Sequence, residues 1–105
     1  MSVKIIRLMS GEEIICNCEP STDGNYNIKN ASVLIPSPEG KLLLAKWLPY
    51  ANTDNGVTLK ESHVVFVVDP HKELAEHFTN VIVNNLVVPG KKLIDPSSSG
   101  LKLTV

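Results

Sequence analysis

Two cysteines, Cys16 and Cys18, stand one residue apart, and the chain's three histidines are His63, His71 and His77. Thiolates and imidazoles are the common ligands of zinc, so these five residues raise the question of a metal site. Structural zinc sites take four ligands, commonly in C-x₂₋₄-C and H-x₃₋₅-H pairs; the C-x-C is too short, and His71 with His77 alone meets the histidine spacing. His71 and His77, six apart, do not share a helix face. In an extended segment, residues two apart point to the same side, so a C-x-C disulfide would strain the backbone. The competing reading makes the cysteines two small core residues continuing the apolar face of Ile14, and the missing ligand spacing favours it. Neither a structural metal, a cofactor nor an intrachain disulfide is expected. Catalysis has no better footing. The chain holds no nucleophile elbow, phosphate loop or H-E-x-x-H, and no two carboxylates with a convincing shared pocket, so it reads as non-enzymatic.

Composition narrows the class of protein. The 105 residues amount to one domain by the length prior, and such a chain folds without disulfides. With 43% hydrophobic and 20% charged residues, it is not a wholly disordered chain. A net charge of −1 supplies no global positive field for nucleic acid or an anionic membrane. No apolar run is long enough to span a bilayer, and Met1-Ser2-Val3-Lys4 lacks the shape of a signal peptide. A soluble cytoplasmic protein without membrane contact is expected.

The elements that must position any site are mostly strands. Val3–Met9 is β-branched and aliphatic, and Ser10-Gly11 reads as a two-residue hairpin turn. Glu12–Glu19 follows with Ile14, Cys16 and Cys18 on one face. Pro20–Gly24 is a turn cluster. Asn25–Ile35 is a third strand, with Tyr26, Ile28, Val33 and Ile35 turned inward around a bend near Asn30-Ala31. Lys41–Tyr50 reads as a further strand ended at Pro49, and Asn52–Gly56 is the strongest turn signal in the chain. Val57–Leu59 and Val64–Val68 are two short strands, or one bent strand, around Lys60–His63. The second is apolar on both faces, as in a strand covered on both sides. It also lacks any edge-protecting Lys or Pro, which invites assembly through that edge. Asp69-Pro70 reads as N-cap and first residue of a helix over about 69–84, with Leu74, Ala75, Phe78, Val81 and Ile82 on one face. Pro89-Gly90 stops it. The expected organisation is one domain over 1–88 and a partly flexible C-terminal extension over 89–105.

The stretch from Val3 to Ile35 resembles the first motif of the Sm, Sm-like (LSm) and Hfq family. That motif is an aliphatic strand, a Gly turn, a second strand, and an Asp followed four residues later by an Asn. Gly11, Asp23 and Asn27 occupy those places, with Ile28 as the next aliphatic. Leu59-Lys60-Glu61-Ser62-His63 leading into Val64-Val65-Phe66-Val67 resembles the second motif. The chain is also similar to the short Sm-like proteins of marine phages and ocean sequence collections. It departs from the family in several places. Cys16 stands for the second motif glycine, Lys60-Glu61 for Arg-Gly, and the Asp comes one residue late. The helix follows the strands instead of preceding them, and Lys41–Tyr50 is extra.

The resemblance implies a mainly β fold, a small, strongly bent, five-stranded open barrel, here with a C-terminal helix. It also implies a homo-oligomeric ring of roughly five to seven subunits, since cyclic closure removes open edges. Such rings bind single-stranded, uridine-rich RNA near the pore. Carried over by position, the RNA-binding residues are Asn25 at the stacking place, Tyr26 beside it, Asn27 as polar reader, Lys60 as cation, and Ser62. Each has a plainer reading. Asp23 serves as a turn residue, Tyr26 turns into the core by strand alternation, Asn27 caps a local turn, and Lys60 forms a solvated pair with Glu61. Trp47 and Tyr50 stand as an exposed stacking platform or as core and interface. The alternative function is the same fold used as a protein scaffold without RNA.

Overall fold

The computed structural model describes residues 1–84 and 93–94. Its strands are β1 (Ser2–Leu8), β2 (Glu13–Pro20), β3 (Tyr26–Pro36), β4 (Leu42–Lys46), β5 (Val57–Leu59), β6 (Val64–Val68) and β7 (Leu93–Ile94). A 3₁₀ turn, Glu61–His63, joins β5 to β6, and a helix, α1 (Lys72–Phe78), ends in a π-helical turn at Thr79–Val83. All seven strands belong to one antiparallel sheet, in the order β6-β1-β2-β3-β4-β7, with β5 also paired to β3. The mainly β expectation holds, with two strands more than five. β7 falls inside the segment expected to be a partly flexible extension, and the rest of 89–105 lies outside the described residues.

Three hairpins share one turn. Leu8 N–H donates to Glu12 O at 2.9 Å, and Gly11 N–H donates back to Leu8 O at 2.9 Å. Ser21 with Asn25 and Gly24, and Ser37 with Lys41 and Gly40, repeat both bonds. The closing glycines have φ of +93°, +87° and +79°. A three-residue hairpin ends on a left-handed residue, where glycine carries no Cβ penalty. The β1–β2 loop is therefore Met9-Ser10-Gly11, not the two-residue Ser10-Gly11 turn expected.

β3 is one long strand with two partners. Its first part, Tyr26–Ile28, pairs with β5, and its second part, Ser32–Pro36, pairs with β4. The division falls at a bulge where Asn30 and Ala31 face the single residue Cys16. Asn30 sits at φ +58°, a conformation asparagine tolerates better than most residues, and its Nδ2 donates to Asn17 Oδ1 at 2.9 Å. The bend expected near Asn30-Ala31 is there. It lies in β3, across from Cys16 of β2. The extra residue resets the alternation: Tyr26 and Ile28 point inward before it, Ala31 and Val33 after it. Ile35, expected inside, is exposed.

The two sheet faces carry separate cores. Ile6, Leu8, Ile14, Cys16, Cys18, Ile28 and Leu59 form one, which Val57 of β5 and Val64 and Val67 of β6 also join. Residues from both ends of the β5-β3-β2-β1-β6 path thus meet in one cluster, so the sheet curls around it. On the other face, Ile15, Leu42 and Leu44 pack with Leu74 and Phe78 of α1. The helix begins later than expected. His71 is the N-cap, and its carbonyl accepts from Ala75 N–H at 3.0 Å. Asp69 does not cap; its carboxylate pairs with Lys4 of β1.

β6 reverses an expectation. Val65, Phe66 and Val68 are 53%, 37% and 45% exposed, so the strand is not covered on both sides. One edge pairs with β1, and Val65 is the extra residue of a bulge opposite Arg7 and Leu8. An all-apolar run reads the same whether its own chain or another one covers it. No helix among the described residues is long and apolar enough to cross a membrane.

Candidate nucleic-acid interface

The residues singled out in two distant segments come together at one corner of the sheet. β3 pairs Tyr26 with Leu59 and Asn27 with Thr58, which sets the β2–β3 turn beside the 3₁₀ turn. Asn25 Oδ1 accepts the Glu61 amide at 3.1 Å and locks the two turns together. Gly24 lies beneath the Glu61 carboxylate, and a Cβ there would come within 3.3 Å of Oε2. The corner therefore holds Asn25, Tyr26, Asn27, Lys60 and Ser62.

Their roles differ. Asn25 is half-buried, with its carbonyl oxygen engaged by the clamp to Glu61. Tyr26 is partly buried and packs against the inner core, as strand alternation requires. Asn27 Oδ1 accepts from Thr58 Oγ1 at 3.2 Å, which leaves the Nδ2 donors for a ligand. Lys60 and Ser62 are exposed. Lys60 makes no ion pair with Glu61; among the described residues the ion pairs are Lys4–Asp69 and Arg7–Glu13. Asp23 does turn work: its Oδ1 accepts from Asn25 N–H at 3.1 Å. Hydrogen bonds from the Ser21 side chain and the Asn25 amide hold its carboxyl below the usual range.

The two aromatics of the extra segment part company. Trp47 is half-buried against the inner core, whereas Tyr50 is 85% exposed. Between them Leu48 adopts φ +53°, and its carbonyl accepts from Ala51 N–H at 3.0 Å, closing a turn with Pro49 at its second position. Sequence reasoning missed two members of the corner. Thr58 orients Asn27, and Gly24 makes room for Glu61. Only the pairing of β3 with β5 brings either into view.

Cys16 and Cys18 are free thiols in the inner core beside Ile14, as the core reading expects. Among the described residues no group of three His, Cys, Asp or Glu side chains is placed to hold a metal ion. His77 belongs to α1, whose Leu74 and Phe78 lie on the opposite sheet face from the cysteines. Burial, reinforced by Cys18, pushes the Cys16 thiol from 9.0 up to about 12. Between those values the unfolded chain has lost a proton that the folded chain keeps. Stability from this group is therefore full well below pH 9 and falls as pH rises from 9 toward 12, by about 1.4 kcal/mol per pH unit. Urea unfolding at pH 8 and pH 10.5 should register this loss, and Cys16→Val should flatten it.

Compared with known proteins, the chain matches no family model and no curated protein.

Proposed function

We propose that this chain is a non-enzymatic, ring-forming protein of Sm-like architecture that binds single-stranded, uridine-rich RNA. The observation that carries the reading is the corner itself. Asn27 of β3 and Lys60 just before the 3₁₀ turn, 33 residues apart in the chain, fall in one corner because Asn27 pairs with Thr58 and Asn25 bonds Glu61. Asn27 offers amide donors, and uracil presents carbonyl acceptors on its edge. Lys60 offers a phosphate contact. Stacking and edge hydrogen bonds read single-stranded RNA, while cations hold its backbone. A ring would set one Lys60 per subunit around a shared opening, creating locally the positive field that a net charge of −1 hides. The exposed apolar strand β6 and the short strand β5 supply the edges for such closure.

Binding of a labelled uridine oligomer at low salt tests the reading. Lys60→Ala should weaken binding across sequences and lower the salt slope by about one. Asn27→Ala should instead erode base preference, since it removes a contact to a base edge. A scaffold without RNA is the second reading, favoured by the engaged Asn25 carbonyl and the acid of Glu61 next to Lys60. An assembled ring that binds no uridine-rich RNA at low salt would establish it.

A further inference from the structure

On the other side of the 3₁₀ turn lies a cavity of about 370 Å³. Leu8, Met9, Leu59 and Trp47 make its apolar wall, and Ser10, Glu12 and His63 bring the polar groups. The β1–β2 loop is tied to the turn here, because Met9 N–H donates to His63 O at 2.9 Å. The pocket is open to solvent, with the exposed Met9, Ser10, Glu12 and His63 at its rim, and its volume has room for one nucleobase.

We infer that this cavity is a second base subsite, selective for adenine or cytosine, which carry an amine where uracil carries its 4-carbonyl, over uracil. Trp47 provides the aromatic surface on which any base gains contact. Selectivity comes from Glu12. An ionised carboxylate only accepts hydrogen bonds, so it suits an amine and repels the carbonyl that uracil presents in the same place. Ser10 Oγ donates to Glu12 Oε1 at 3.2 Å, orienting the carboxylate, and among the described residues nothing donates to Oε2. The same negative charge keeps phosphate out, so the backbone must lie elsewhere. Lys60 stands three residues before His63, and a 3₁₀ turn rises about 2 Å per residue. The separation is about one nucleotide step. This placement rests on the RNA reading: a strand held at Lys60 and Asn27 lays its neighbouring base over the turn into the cavity.

Trp47 is the only tryptophan in the chain and lines this cavity, so a ligand seated there changes its emission. Free adenosine, cytidine and uridine, titrated against the intact protein, probe the pocket without any phosphate for Lys60. Adenosine and cytidine should quench Trp47 saturably, with uridine about three- to tenfold weaker, the worth of one hydrogen bond. Glu12→Gln, an exposed position, should narrow that difference to less than twofold because its amide also donates. Equal quenching by all three nucleosides, or none by any, overturns the subsite even if uridine-rich RNA binds at Lys60. Conversely, amine-selective quenching that survives in Lys60→Ala upholds the pocket even where no uridine oligomer binds.

Discussion

In the proposed ring, Val65→Lys combined with Val68→Lys is expected to leave only monomers. Both side chains are about half exposed, at 53% and 45%, so the change should leave the fold of one subunit intact. Both lie on β6, whose one edge is held by β1 and whose sequence carries no charge or proline to discourage pairing. Burying such a side chain in an interface contributes about 1–2 kcal/mol. Two lysines at every contact of a ring reverse that contribution and add like-charge repulsion. Light scattering should then report an oligomer for the natural chain and a mass near 11.5 kDa for the variant, with unchanged far-ultraviolet circular dichroism. A natural chain that is monomeric at micromolar concentration would refute the ring altogether.

Phe78→Ala should have the largest effect on stability. Phe78 is fully buried and fastens α1 to the sheet through Ile15, Leu42 and Leu44. Truncating a buried phenylalanine costs about 3–5 kcal/mol, the lost transfer energy plus the cavity left behind. Small domains are stable by only about 5–15 kcal/mol, so the variant should unfold at far lower urea than the natural chain. Phe78→Leu, which keeps most of the apolar volume, should recover more than half of the loss. A cost below about 1 kcal/mol would mean that the helix is not docked on this face in solution.

The helix start shows where local signals fail. Asp69-Pro70 fits the local rules for an N-cap and a first helical residue. Lys4, sixty-five positions earlier in the chain, engages the Asp69 carboxylate, and the helix starts from His71 instead. The hairpin glycines show a different limit. Gly11 marked a turn correctly, but its identity does not say whether it is the second residue of a two-residue loop or the last of three. That depends on which amide pairs across the hairpin, and Leu8 N–H to Glu12 O decides it.

Alternation and turn chemistry were enough to locate most strands, the helical segment, the bend at Asn30-Ala31, and the burial of Cys16, Cys18 and Tyr26. These depend on neighbours one to four residues away, and side-chain period and glycine or asparagine backbone freedom carry that information. Three other features depend on contacts between residues far apart in the chain. The division of β3 between β4 and β5 sets Asn27 against Thr58 and Asn25 against Glu61. The curl of the sheet encloses one core, while the helix covers another on its back. Among the described residues the run Val64–Val68 has one unpaired edge, and Val65, Phe66 and Val68 are exposed. A strand's period tells which residues share a face; only the folded chain decides what, if anything, lies against that face.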